Sequence, residues 1–185
     1  ICSPTRAAIM TGKYPARLDL TDFIPRNLPK NKPLLTPENW QKFLPLDEIT
    51  IGEKMEASGY QTGFFGKWHL SMEKLPPESL PHNPSKQGFK ETFVTYKPSG
   101  KLIQKWQIEK KDFHNVDTIT RRGLEFIEKN KKGPFLLILS HNTIHDPLLE
   151  NQELINKYQN KKGSEKKENN PTISAMIETL DLSVG

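Results

Sequence analysis

Apolar positions fall into short periodic runs separated by long polar stretches, and each run predicts one element. Pro4-Thr5-Arg6-Ala7-Ala8-Ile9-Met10-Thr11-Gly12 reads as a short helix. Pro suits its first turn, Ala, Ile and Met fill it, and Gly12 stops it. Tyr14 to Pro45 is rich in Pro, Asn and Lys without periodicity and reads as an irregular excursion. Thr50-Ile51-Gly52-Glu53 fits a capping box that opens a helix running to Ser58 and ended by Gly59. Tyr60 to Gly66 follows as a short buried strand.

Leu75 to Pro98 carries many Pro and Gly and reads as loop, with a brief strand at Thr92–Tyr96. From Asp117 the pattern turns helical, with Ile119, Leu124, Phe126 and Ile127 as the apolar side and Gly133-Pro134 as the stop. Phe135-Leu136-Leu137-Ile138-Leu139 is a continuous apolar run, as expected of a strand covered on both faces. Asn151 to Asn170 is polar and low in complexity, a surface insertion. Pro171-Thr172 opens a last helix with Ile173, Met176, Ile177, Leu180 and Val184 on one side. This alternation predicts an α/β layered domain with a mainly parallel sheet, and no internal repeat is visible.

Composition adjusts that picture only slightly. A chain of 185 residues suits one domain, but 34% hydrophobic residues leave a modest core. The net charge of +5 is unevenly placed, with lysines crowding Lys101–Lys111, Lys129–Lys132 and Lys157–Lys167 among Glu, Gln and Asn. Such runs read as solvated surface, the sharper alternative being attraction to a polyanion. The aromatic and glycine signatures of nucleic-acid binders do not appear, so no nucleic-acid partner is expected. No apolar run is long enough to span a bilayer, and no leader pattern is present. A chain opening at Ile1 reads as an internal fragment of a longer one, residues 1–185 covering part of a catalytic domain. Cys2 is the only cysteine, so no internal disulfide is possible.

Three segments carry chemistry. Cys2-Ser3-Pro4-Thr5-Arg6 leads straight into a helix, whose first turn offers backbone N–H donors and the positive end of the dipole to an anion or anionic nucleophile. Arg6, one turn on, adds a cation able to grip an oxyanion with two hydrogen bonds. The bland alternative is a buried cysteine beside a surface arginine. Gly66-Lys67-Trp68-His69 follows the predicted strand directly. In extended chain Lys67 and His69 share a side while Trp68 turns away to pack. They would form a cationic pocket beyond a strand's carboxyl end, where open α/β sheets place ligands. An exposed lysine and a structural histidine are the alternative.

The third segment is Ser140-His141-Asn142-Thr143-Ile144-His145-Asp146-Pro147, after the apolar run. His141 and His145 have the spacing of a helical zinc pair, but Pro147 and the preceding strand argue for loop instead. A histidine there is better placed as proton donor to a leaving group. His82 and His114 lie in polar loop sequence and receive no role.

Together these segments resemble the type I, formylglycine-dependent sulfatases of the arylsulfatase kind. Cys2-Ser3-Pro4-Thr5-Arg6 with Met10-Thr11-Gly12 is similar to the family's first signature, in which the cysteine is oxidised to Cα-formylglycine. Gly59-Tyr60-Gln61-Thr62 with Gly66-Lys67-Trp68-His69-Leu70 is similar to the second, and His145-Asp146-Pro147 to the later His-x-Pro. Leu46-Asp47-Glu48-Ile49-Thr50 falls in the family's order before the second signature.

The resemblance implies an alkaline phosphatase-like layered α/β domain and hydrolysis of sulfate esters. Formylglycine hydrates to a geminal diol; one hydroxyl attacks sulfur, and the second expels sulfate and restores the aldehyde. It implies that Cys2 is the nucleophile's precursor and a metal contact, and that Arg6 steadies the diol. Lys67 would hold sulfate oxygens, His69 would assist elimination, and His145 would protonate the leaving oxygen. Lys67, His69 and His145 are thus also the expected substrate-binding residues. A divalent cation, usually calcium, is implied, along with a formylglycine-generating maturation enzyme and a sulfated small molecule or polysaccharide as substrate. Periplasmic, secreted or lysosomal placement is the family's habit.

Two departures stand out. Ser71 follows His69-Leu70 where the family commonly has Gly. The family's aspartate pair upstream and Asp-Asn pair downstream, which bind the cation, are not expected within these residues. Two other functions stay open on the sequence: a phosphoester or phosphonate monoester hydrolase of the same superfamily, and a non-catalytic binder of sulfated polymers.

Overall fold

Helix α1 (Cys2–Thr11) starts two residues before Pro4 and is stopped as expected by Gly12, at φ 70°. The computed structural model describes residues 2–24, 41–71, 80–96, 112–163, 166 and 169–185. The Lys101–Lys111 run and the middle of the Tyr14–Pro45 excursion lie outside the described residues, as do the start of the Leu75–Pro98 loop and part of the Lys157–Lys167 run.

The predicted capping box is present at helix α2 (Ile51–Ala57). Thr50 Oγ1 accepts from Glu53 N–H at 3.2 Å, while a Glu53 carboxylate oxygen accepts from Thr50 N–H at 2.8 Å. Strand β1 (Gln61–Gly66) is buried from Thr62 onward. β2 (Glu91–Val94) and β3 (Phe135–Ser140) flank it in the order β2-β1-β3. Gln61 N–H donates to Pro134 O and Lys67 N–H to Ser140 O, so equal steps along β1 and β3 match, as in a parallel pair.

The apolar run of β3 is less covered than expected. Phe135 to Ile138 are half-buried and Leu139 is 37% exposed. Among the described strands β3 pairs on one side only, and an edge strand has fewer neighbours to cover it.

Helix α3 (Val116–Asn130) also corrects the expectation. Its buried side is Val116, Ile119, Gly123 and Phe126, whereas Leu124 is 63% exposed and Ile127 38% exposed. Leu124 is five residues past Ile119, about 140° around the helix, so it cannot share that face. Gly123 takes the place instead, because a Cβ there would press on the Leu139 side chain. The polar 151–170 stretch contains helix α4 (Gln152–Gln159), capped where Asn151 Oδ1 accepts from Glu153 N–H at 2.9 Å. α4 packs on helix α5 (Pro171–Val184). α5 buries Ala175 and Met176, while Ile177 and Val184 of its predicted apolar side stay exposed.

The chain forms two compact units. One comprises Ile1–Phe64, Trp68–Val94 and Ile127–Ile138; the other Phe65–Lys67, Thr95–Phe126 and Leu139–Gly185. The first unit's core gathers Ala7, Met10, Leu18, Leu44, Phe64 and Trp68, with Phe64 meeting Trp68 and Phe89 edge-on. In the second, Phe65 meets Phe126 edge-on, and Ile119 and Met176 are buried. Lysines of the surface runs pair with glutamates, Lys129 with Glu91, Lys131 with Glu128 and Lys157 with Glu178. No helix among the described residues is long and apolar enough to cross a membrane.

Candidate active site

In the first unit, α1 presents Cys2 at its opening residue and Arg6 one turn later, both half-buried. Burial pushes the Arg6 guanidinium below its usual value, and the coulombic interaction with nearby Cys2 opposes that shift. The two side chains are thus electrostatic neighbours, at a helix start where an anion is favoured.

Ser3, between them in sequence, is fully buried. Its Oγ accepts from the N–H of Ile24 at 3.0 Å. The carbonyl of Ile24 in turn lies 2.9 Å from His69 Nε2. A carbonyl only accepts, so Nε2 carries a hydrogen and donates it to Ile24. Ile24 therefore links His69 to the residue after Cys2.

His69 stands in the left-handed region, at φ 57°. The alternation that put Lys67 and His69 on one side assumed extended chain, and it does not hold at this residue. Trp68 does pack inward, 1% exposed, with its indole N–H donating to His82 O at 2.7 Å. His82 is not in polar surroundings either: its ring stacks on Phe43 at 4.1 Å, and Nδ1 donates to Leu44 O at 3.1 Å. Ser71 is buried and donates to Asn83 Oδ1 at 3.1 Å.

In the second unit, Lys67 is clamped through its backbone. Its N–H donates to Ser140 O at 2.7 Å, and Ser140 Oγ donates to Lys67 O at 2.9 Å. Gly66, at φ 117°, makes this approach possible, since a methyl there would overlap the Ser140 carbonyl oxygen.

His145 lies on a loop, as Pro147 suggested, and not on a helix that would pair it with His141. Its Nδ1 donates to Asp146 O at 2.8 Å. His114 is only 1% exposed, not the polar-loop residue it resembled, and its Nε2 donates to Pro147 O at 3.0 Å. Burial pushes the His114 pKa down, the Pro147 hydrogen bond opposing and His145 adding to the effect. His141 is likewise pushed down by burial, and neither ring nitrogen has a hydrogen-bond partner among the described residues.

Sequence reasoning missed Ser3, Ile24 and His114 as supporting residues. Ser3 occupies a variable place within its motif, while Ile24 and His114 sit in stretches without periodicity. Asp112 also went unmarked, although its carboxylate accepts from Asp117 N–H and Thr118 N–H at 3.0 and 2.8 Å. Among the described residues no three His, Cys, Asp or Glu side chains come together to hold a metal ion.

The sulfatase family model matches residues 1–184. The chain belongs to the sulfatase family. This sulfatase chain is 27% identical over 180 residues to an arylsulfatase from Hemicentrotus pulcherrimus, an alignment covering 83% of the chain and 30% of that protein. The crystal structure of Ps i-CgsB in complex with k-i-k-neocarrahexaose matches all of the chain and 43% of its own, with a TM-score of 0.71 and 23% identity. BT4656 in complex with its substrate D-glucosamine-2-N,6-O-disulfate matches 87% of the chain and 28% of its own, with a TM-score of 0.55 and 22% identity. The sulfatase chain thus spans less than half the length of these relatives.

Proposed function

We propose that the full protein hydrolyses sulfate esters, releasing an alcohol and sulfate, with Cys2 matured to formylglycine as nucleophile. The observation that carries this reading is the grouping of Cys2, Arg6 and the Ile24-tethered His69 around the start of α1. Cys2 stands where a helix start and a guanidinium favour oxyanions. The hydrated aldehyde supplies a nucleophile that releases its own sulfate.

The chain's residues take distinct parts. Arg6 steadies the matured side chain by charge and paired hydrogen bonds. His69, its Nε2 donating to the Ile24 carbonyl, assists the elimination step. The ammonium of Lys67 offsets charge on sulfate oxygens, its backbone clamped by Ser140. His145 protonates the leaving oxygen from Nε2, its Nδ1 being committed to Asp146. Family membership supports a divalent cation as well, with the matured Cys2 as one contact.

A sulfated carbohydrate is the proposed substrate class, supported by the disulfated glucosamine bound to BT4656 and the oligosaccharide bound to Ps i-CgsB. The test uses the full-length protein. Mass spectrometry of the Cys2 peptide should show replacement of the sulfur. Aryl sulfate should be hydrolysed faster than aryl phosphate, and Cys2→Ala should abolish turnover. An unmodified thiol with normal hydrolysis, or full activity in Cys2→Ala, would overturn the reading.

A further inference from the structure

The hydroxyl of Ser3 has no part in the chemistry above, yet it is among the most deeply buried polar groups of the first unit. Its one described role is to accept from Ile24 N–H, a residue 5% exposed and 21 positions away. Ile24 is thereby held at both of its backbone polar groups, its N–H by Ser3 and its carbonyl by His69. We propose that Ser3 is a positioning residue for His69, acting through Ile24 to fix the ring's orientation and its Nε2–H tautomer.

The physical case has three parts. The Ile24 N–H has left water, so removing the Ser3 oxygen would leave a buried donor unpaired, and the strand of backbone around it would shift to recover a partner. The Ile24 carbonyl favours the Nε2–H form of His69 by accepting from it; move it, and that form loses this acceptor. His69 also sits on left-handed backbone, where a β-carbon-bearing residue is held only if its surroundings over-determine it. The inference rests on the proposed reaction for its catalytic consequence, although the tautomer itself does not depend on it.

The experiment compares wild type, Ser3→Ala and Ser3→Thr in the full-length protein, each corrected for the fraction of Cys2 converted, as measured by mass spectrometry. Ser3→Ala should lower kcat on aryl sulfate by roughly ten- to a hundredfold, as small misplacements of a catalytic group do, with KM within about twofold. Ser3→Thr, which keeps the acceptor oxygen, should recover kcat to within about threefold. Nitrogen-15 NMR of the His69 ring should report Nε2–H in wild type and a mixed population in Ser3→Ala. Wild-type kcat in fully converted Ser3→Ala would overturn the proposal. So would an Nδ1–H tautomer in wild type, a result that stands even if Ser3→Ala fails to fold. A wild-type protein that is matured yet inert toward sulfate esters would sink the reaction instead, leaving the tautomer measurement to judge Ser3.

Discussion

His114 Nε2 donates to the carbonyl oxygen of Pro147 at 3.0 Å, tying the start of α3 to the turn that carries His145. The other ring nitrogen, Nδ1, is buried with no partner among the described residues. Burial, the dominant cause, holds the His114 pKa below its usual value, and His141 is shifted the same way for the same reason. Both rings therefore take up protons less readily folded than unfolded.

The sign of the resulting pH dependence follows from that difference. Between the lowered folded value and the unfolded value near ~6.5, the unfolded chain binds more protons, so stability rises with pH. The stabilisation is fully present above about pH 6.5 and is lost as pH falls through the folded value. Thermal melts of the full-length protein should lose Tm on acidification through this window. His114→Gln, which cannot ionise, should flatten the trend, and an unchanged slope would refute the assignment.

Arg6→Lys tests whether geometry or charge matters beside Cys2. Lysine keeps the charge but cannot form paired hydrogen bonds, so kcat/KM should fall by roughly a hundredfold, the loss expected of an oxyanion donor. Steady-state rates on aryl sulfate, with conversion of Cys2 checked, measure it. Near wild-type kcat/KM would mean that charge alone suffices.

Gly66→Ala tests the clamp on Lys67. Both the φ of 117° and the overlap with the Ser140 carbonyl forbid a side chain there. The variant should lose soluble folded protein, or Tm should drop by several degrees, as judged by circular dichroism. Full stability would show that the Ser140 contact is dispensable.

Thr50→Ala removes two hydrogen bonds at once, because Oγ1 accepts from Glu53 N–H, as half of the capping box, and donates to Gln87 O at 2.8 Å. With Thr50 fully buried, the cost should be about 1–3 kcal/mol in urea unfolding. Thr50→Ser, retaining the oxygen, should restore most of it.

Local rules were sufficient wherever an element's signal lies within a few residues. Gly12 and Gly59 end their helices, Thr50 and Glu53 cap α2, and β1 is buried as its apolar run implied, because capping, chirality and alternation act over one or two turns. The motif residues Cys2, Arg6, Lys67, His69 and His145 were singled out for a related reason: their side-chain chemistry and spacing are visible without coordinates.

What supports those residues was decided only in three dimensions. Leu124 faces solvent and Gly123 the interior because helix rotation, not hydrophobicity, chooses the face. The Nε2–H form of His69 depends on a carbonyl 45 residues away, and the burial of His114 on a turn 33 residues away. A lone hydroxyl or imidazole has no periodicity to announce it, so its role appears only when folding removes water and obliges each buried polar group to find a partner.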